Sequence, residues 1–469
     1  MKGISKRIHF MGIGGSGMSA VAAIAKSRGF VVSGCDLENT TAYFTKLKEL
    51  GIKIYKGHNL KHLDNYDLLV ITPAIIYQNS KNPEYLRALS ENKVIVWNKF
   101  VGDYLLEGKK VIAVSGTHGK GTVTAMTSLI FEEAKLDPGV LIGATVKEWN
   151  SNYRIGKGNV FIIEADEFYE KFVDYKPSTI IINNIEFDHP DYFKSESEII
   201  NSFKKFISKL DSKGSLVVNL DSDGVVRLLK SFGKKRLEKF NLYGYSLLPN
   251  PNYLTDKIIN ASVTKQCPEY TQFTVYSKSM EIDEIYKLKL PGEYNVSNAL
   301  GAIVASKLYG IETSIIKEQL LNFSGLIRRF ELLGEKNNIT VYDDYAHHPT
   351  AIRQTLQALR QRYPTSRIWA INEPHSFSRT KALLSEYKGS FDFADNVIIG
   401  PIFKARDSKT YGVSGNSIIK IAGHKNSHYY QRFSSIIKVL KANLRNGDVV
   451  IVMGAGKSYL WAREILGAL

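Results

Sequence analysis

The feature that most limits how this chain can fold is a repeated alternation. Short β-branched runs alternate with amphipathic stretches, and they do so in three successive series. In the first hundred residues "RIHFMGI", "VVSGCD", "DLLVIT" and "KVIVWN" have this form. A second series opens at "KKVIAVSG" (109–116) and runs through "NVFIIEAD", "STIIINNI" and "SLVVNLD". "ITVYDDYA" (339–346), "SRIWAINEP", "NVIIGPI" and "DVVIVMGAG" make the third. Strands that alternate with helices build mostly parallel sheets. The expected fold is therefore α/β, with three open α/β domains over 1–108, 109–326 and 327–469. Residues 240–290 show no clear period and are the least readable stretch.

What such a body binds is limited by its charge and cysteines. The chain carries a net charge of +16, which favours anionic partners. No basic run is interleaved with aromatics and no zinc-finger or RNA-recognition signature occurs, so phosphorylated small molecules are expected and nucleic acid is not. The surplus lysines lie on solvated helix faces such as "NSFKKFISKLDSKG" (201–214). No apolar run approaches the ~20 residues of a spanning helix, so no membrane association is expected. "MKGISKRIHFMGIGG" leaves no room for the apolar core of a signal peptide. With only Cys35 and Cys267, a disulfide framework is excluded and a cytoplasmic location is the simplest expectation.

Ligands of open α/β sheets sit beyond the carboxyl ends of the strands. Gly12-x-Gly14-x-x-Gly17 follows the first strand, and Asp36 stands where a Rossmann-like fold wants an acidic residue. That loop suits a diphosphate at a helix N-terminus, or packing alone. Gly116-Thr117-His118-Gly119-Lys120 follows the strand that opens the second series. Val123, Met126 and Ile130 then recur at helical spacing, so the loop is a strand-to-helix turn suited to phosphate. It departs from the P-loop pattern: Gly121 replaces the hydroxyl residue after Lys120, and Val114 stands in place of the first glycine. A rival, Gly456-Lys457-Ser458, has Ile451 at the first-glycine position.

Glu164 and His189 fall at the ends of the two following strands. An acidic residue beside a phosphate loop suits Mg²⁺, whereas histidine suits it poorly and by chemistry alone reads as structural. Asp343, Asp344, His347, His348, His375 and Arg379 follow strands of the third series. His347-His348 is also compatible with zinc, although no thiol or H-x₃-H spacing accompanies it.

Taken together, "HFMGIGGSGMS", "SGTHGK", "EADEF", "NNIEFDHPDYF", "GEYNVSNAL", "RRFE", "DDYAHHPT" and "EPHSFSRT" resemble the Mur ligase family, the ATP-dependent amino-acid ligases of peptidoglycan precursor synthesis. The best-matching branch joins L-alanine to UDP-N-acetylmuramate. The resemblance implies an N-terminal Rossmann-like domain, a central P-loop ATPase-type domain and a C-terminal Rossmann-like domain. It implies UDP-N-acetylmuramate held by Gly14, Gly15, Ser16 and Gly17, with Asp36 towards the uridine. ATP would lie on Gly116, Thr117, His118, Gly119, Lys120, Gly121 and Thr122, with Asn295 at the adenine and Arg329 and Asp344 reaching the nucleotide. Glu164 and His189 become Mg²⁺ ligands, against the structural reading of the histidine, and Thr122 is expected to supply the hydroxyl that Gly121 lacks. The implied catalytic set is Lys120, Glu164, His189, Arg329, His348, His375 and Arg379, the last three where the amino acid and acyl group meet. The alternatives are a ligase joining a peptide to the same nucleotide sugar, or a nucleotide-binding relative with weakened turnover. The expected assembly is a monomer or weak homodimer. Four positions depart from the family pattern: Gly121, Tyr294, the segment "VWNKFVGDYL", and Lys457.

Overall fold

Runs buried on both faces become the inner strands of parallel sheets, because parallel strands need both faces covered. The computed structural model of the protein describes residues 6–38, 43–249 and 254–469. Its strands form three sheets. In the first, Arg7–Met11 lies between Val31–Asp36 and Leu68–Ile71, with Lys53–Lys56 and Val94–Val96 at the edges, all parallel. Lys53–Lys56, KIYK, was not legible from pattern: it is a polar edge strand with no buried residue.

The second sheet has ten strands. Lys110–Ser115 sits between Val160–Glu164 and Thr179–Ile182, and Ser215–Asn219 continues the parallel run beyond Thr179–Ile182. On the other side Gly139–Val146 pairs with Val160–Glu164. The unreadable stretch 240–290 holds Asn241–Ser246 and Ile258–Gln266, both parallel, followed by an antiparallel pair, Thr271–Ser277 and Ile282–Leu288. Its tips are exposed, as in Ile258–Gln266, so a two-faced apolar run is missing there. The helices Lys120–Glu133 and Glu293–Leu308 pack on one another over this sheet and are buried nearly all round.

In the third sheet the parallel order is Ile339–Asp344, Val449–Gly454, Ile368–Glu373, Asn396–Ile399 and Ser427–Tyr429; Glu331–Lys336 adds an antiparallel edge. The chain reaches it through a short bridge in which Leu326 pairs with Val146 and with Arg329. Several loops near the junction carry non-glycine residues at positive φ: His189 (55°), Arg328 (62°), Phe330 (48°) and Ser376 (58°). Such conformations persist where the surroundings over-determine them, and they concentrate at functional sites.

Candidate active site

The loop after Lys110–Ser115 is shaped by its neighbours. Gly116 has φ +135° and Gly119 φ +78°, which side chains disfavour. Crowding excludes them as well: a Cβ on Gly119 would stand 2.3 Å from Asn298 Oδ1, and one on Gly116 2.8 Å from the Asn184 carbonyl oxygen. Asn184 grips the peptide of His118 from both sides, its Oδ1 accepting from the His118 N–H at 2.7 Å and its Nδ2 donating to the His118 carbonyl at 3.1 Å. A rigid glycine turn opening a fourteen-residue helix, Lys120–Glu133, is an anion cradle in waiting.

Lys120 turns back into this loop. Its Nζ donates to the Gly116 carbonyl at 2.6 Å and to Glu167 Oε2 at 2.8 Å. Burial alone would lower the ammonium, but the carboxylates of Glu167, Asp166 and Glu164 outweigh it, so its pKa is raised and it is firmly charged. Asp166, Glu167 and His189 each bring one ligand-type atom within 4.8 Å of the others. Glu164 is not in that group: its Oε2 accepts from the Gly143 N–H at 2.6 Å and lies 3.4 Å from where a Cβ on Gly121 would stand. Of the three residues expected around a metal, His189 thus sits with Asp166 and Glu167, and Glu164 sits beside Gly121. Thr122 faces a cavity and its hydroxyl makes no hydrogen bond among the described residues.

Arg379, on the third sheet's side, reaches across to the central one. Its Nε donates to Asp188 Oδ1 at 2.7 Å; its other nitrogens stand 3.3 Å from His189 Nδ1 and 3.2 Å from His375 Nδ1. Asp188 is held well below the usual carboxylate range: burial opposes this, but the Arg379 guanidinium wins. Arg379 therefore ties His375 and His189 together across the junction. His348 lies apart from them, against His118 and Glu186 of the central side, with its Nε2 3.3 Å from the Phe187 carbonyl.

A cavity of about 780 Å³ opens between these halves, lined by His118, Gly119 and Asn295 from the central side and Arg329 and Asp344 from the third. That is the size of a drug-sized ligand site. Within it Asn295 donates to the Pro291 carbonyl at 2.8 Å, and Arg329 stacks its guanidinium 4.6 Å from the Tyr345 ring centre. Asp344 is committed to backbone, accepting from the Phe330 and Ala346 N–H groups at 2.6 Å each.

The burial of two of these histidines has a measurable consequence. Burial, helped by His118 for His348 and by Arg379 for His375, depresses both to about 4 from 6.5. The unfolded chain then binds protons near 6.5 that the folded chain refuses until about 4. Their stabilising contribution is complete above the unfolded value and is lost as pH falls through that window. The urea midpoint is expected to drop between pH 7 and pH 5, and the drop to be shallower in a His348→Gln/His375→Gln variant. An equal pH slope in the two proteins would contradict this.

In the first sheet, Asp36 Oδ2 accepts from the Gly14 N–H at 2.8 Å, so this carboxylate braces the glycine loop. Gly15 caps the helix Ser16–Ser27, and Gly17 has nothing within 4 Å of a Cβ position. Ser16 is engaged by Asn152 Nδ2 of the central unit, at 3.1 Å from its hydroxyl. The rival loop at Gly456-Lys457-Ser458 is already filled: its backbone N–H groups converge on the carboxylate of Glu373, that of Ser458 at 2.9 Å. Sequence reasoning passed over Glu167, Asn184, Glu186 and Asp188, although "EADEF" and "NNIEFDH" contain them; each stands within five residues of Glu164 or His189, which were singled out.

Family models match the chain in three pieces: "Mur ligase family, catalytic domain" over residues 7–103, "Mur ligase middle domain" over 114–306 and "Mur ligase, glutamate ligase domain" over 328–456. A UDP-N-acetylmuramate–L-alanine ligase of Clostridium acetobutylicum is 37% identical over 457 residues, spanning 97% of this chain and 96% of that protein. One of Acetivibrio thermocellus is 38% identical over 458 residues, spanning 97% and 94%. Among solved structures, the UDP-N-acetylmuramate-alanine ligase of Thermotoga maritima superposes with a TM-score of 0.77 at 27% identity, covering 98% of each chain. A murein peptide ligase of Psychrobacter arcticus gives 0.69 at 26%, covering 99% of this chain and 98% of that one.

Proposed function

Because this chain belongs to the Mur ligase family, we propose that it joins the lactyl carboxylate of UDP-N-acetylmuramate to the amine of L-alanine at the expense of ATP. It is an ATP-dependent carboxylate–amine ligase of peptidoglycan precursor synthesis. The observation that carries the site assignment is the cavity of about 780 Å³ shared by two sheets, with the glycine loop on one wall and Arg329 on the other.

The chemistry follows from the substrates. A carboxylate is a poor electrophile towards an amine. Moving the γ-phosphoryl group of ATP onto it gives an acyl phosphate, which the amine attacks; a tetrahedral intermediate then collapses to amide and phosphate, leaving ADP. Such catalysis is mostly positioning and charge neutralisation. Lys120 would exchange its Glu167 partner for nucleotide phosphates, Asn295 would meet the adenine, and Arg329 would add charge from the far wall. His348, His375 and Arg379 would stand where acyl group and amine meet. Gly14, Gly15, Ser16 and Gly17 would form the diphosphate end of the UDP-sugar site, with Asp36 towards the uridine. The three sheets would thus act as units 1–108, 109–326 and 327–469.

The carboxylates around the loop, Glu164, Asp166 and the buried Glu167, suit a hard divalent cation. Mg²⁺, when bound, supplies charge neutralisation at the phosphates. Thr122, Glu164 and His189 would hold it, with Asp166 and Glu167 adjoining His189. Thr122→Ala is then expected to raise the Mg²⁺ concentration needed for half-maximal turnover. Thr124→Ala, whose hydroxyl is already bonded to the Lys120 carbonyl at 2.8 Å, should leave that requirement unchanged. Equal Mg²⁺ curves for the two variants would remove Thr122 from the metal shell.

ATP and a nucleotide sugar as substrates suit a cytoplasmic enzyme, for which a monomer or weak homodimer is the assembly proposed; no described helix is long and apolar enough to cross a membrane. The deciding assay is phosphate release. It should require UDP-N-acetylmuramate and L-alanine together, and fail with the tripeptide in place of alanine. Release with the tripeptide but not with alanine would make the protein a peptide ligase. No release with either would reduce it to a nucleotide binder.

A further inference from the structure

Successive side chains of a strand point to opposite faces of its sheet. In Arg7–Met11, Ile8 and Phe10 pack with the helix Ser16–Ser27, while Met11 packs with Cys35, Leu63 and Ala88 on the other face. His9 shares that second face, among groups an apolar core does not need. Glu84 is 0% exposed, and four donors crowd its carboxylate. His62 Nδ1 is 2.6 Å and the Asn59 N–H 2.7 Å from Oε1; Cys35 Sγ and His58 Nδ1 are each 3.2 Å from Oε2. His9, also 0% exposed, has Nδ1 2.9 Å from Ser33 Oγ, while its Nε2 is buried without any hydrogen-bond partner. One ligand-type atom each of His9, Cys35, His62 and Glu84 lies within 4.8 Å of all the others.

A buried ring nitrogen without a partner is unfavourable, and native cores rarely keep one. A histidine with one nitrogen fixed by a hydroxyl and the other unpartnered, in a cluster with a thiol, an imidazole and a carboxylate, has the arrangement of a metal ligand. We propose that His9, Cys35, His62 and Glu84 form a structural site for a borderline-soft divalent ion, Zn²⁺ by preference, inside the first sheet and separate from the nucleotide cavity. Sulfur, nitrogen and one oxygen, four in number, are the donors zinc takes, whereas Mg²⁺ wants oxygen alone. Charge also balances: binding releases the Cys35 thiol proton to solvent, and thiolate plus carboxylate neutralise the dication. The four ligands come from two strands, the turn Leu60–Leu63 and the helix Pro83–Ser90, so the ion would fasten the elements covering this face. It would also steady the glycine loop, because the Cys35 carbonyl accepts from the Gly12 and Ile13 N–H groups at 2.8 and 3.1 Å.

The test uses the full chain, stripped with chelator and titrated with Co²⁺, whose thiolate complexes show a charge-transfer band that imidazole and carboxylate sites lack. One equivalent of Co²⁺ should produce that band, and Zn²⁺ should abolish it. Cys35→Ser should lose the band and Cys267→Ser keep it. His62→Ala should bind Co²⁺ at least ~100-fold more weakly, and its melting temperature should no longer rise with added Zn²⁺ as that of the unmodified protein does. If Cys35→Ser does not fold, the His62→Ala affinity decides. The proposal is overturned by the absence of a band at one equivalent, by a band that survives Cys35→Ser, or by unchanged affinity in His62→Ala.

Discussion

Lys120→Ala is expected to lower turnover at least ~10³-fold, since it removes a fixed positive charge from phosphoryl transfer. The loss should exceed that of a surface lysine because this ammonium sits at the mouth of a glycine turn, 2.8 Å from Glu167. Without it, a carboxylate only 4% exposed keeps His189, at 3.8 Å, as its remaining ion-pair partner among the described residues, and the loop gains net negative charge where phosphate must bind. Lys457→Ala is the matched control and should leave ATP affinity within a few-fold, since the loop it belongs to holds Glu373 instead of an anion from solution. Steady-state phosphate release and nucleotide titration measure both. Near-normal turnover in Lys120→Ala would move the phosphate site away from residues 116–122.

The second large effect concerns Arg379. Its alanine variant is expected to lose ~10²–10³ in kcat/KM for L-alanine while ATP still binds, because the residue does not line the cavity yet orders three groups at its border. Removing one partner of a buried ion pair also strands the other charge, here Asp188, which is 6% exposed. Arg379→Lys should recover little, since a single ammonium cannot replace a planar fork that meets Asp188, His189 and His375 at once. Loss of ATP binding in a folded variant, judged by unchanged circular dichroism, would assign Arg379 to the nucleotide instead.

Where a segment is buried on both faces, its pattern alone was enough: "VFIIE" and "VVIVMG" became inner strands. Edge strands were missed for the same reason in reverse, since Glu331–Lys336 and Ser427–Tyr429 face water and carry polar residues. The glycine loop was visible because its spacing is local. Its supports were not, because Asn184 and Asn298 reach it from distant parts of the chain. Asp36 could be located but not its task, as a carboxylate after a strand serves equally to hold a ribose or, as here, a backbone N–H. The second glycine-lysine-serine turn shows the limit of motif reading: what fills it is Glu373, eighty-five residues away from Ser458.

The crowding around the phosphate loop has a consequence for how this protein can diverge. At Gly119 any side chain would displace Asn298, and at Gly116 it would strike the backbone of Asn184, so neither position can change alone. Replacing Asn184 instead would release both ends of the His118 peptide. These positions form a set that natural variation must alter in concert or leave alone. Gly121 is different: a Cβ there would meet Glu164 and Leu326 only at ordinary contact distance, 3.4 Å, and its backbone is not left-handed. Of the loop's three glycines, Gly121 alone has room for a side chain, so drift within the turn has one open door.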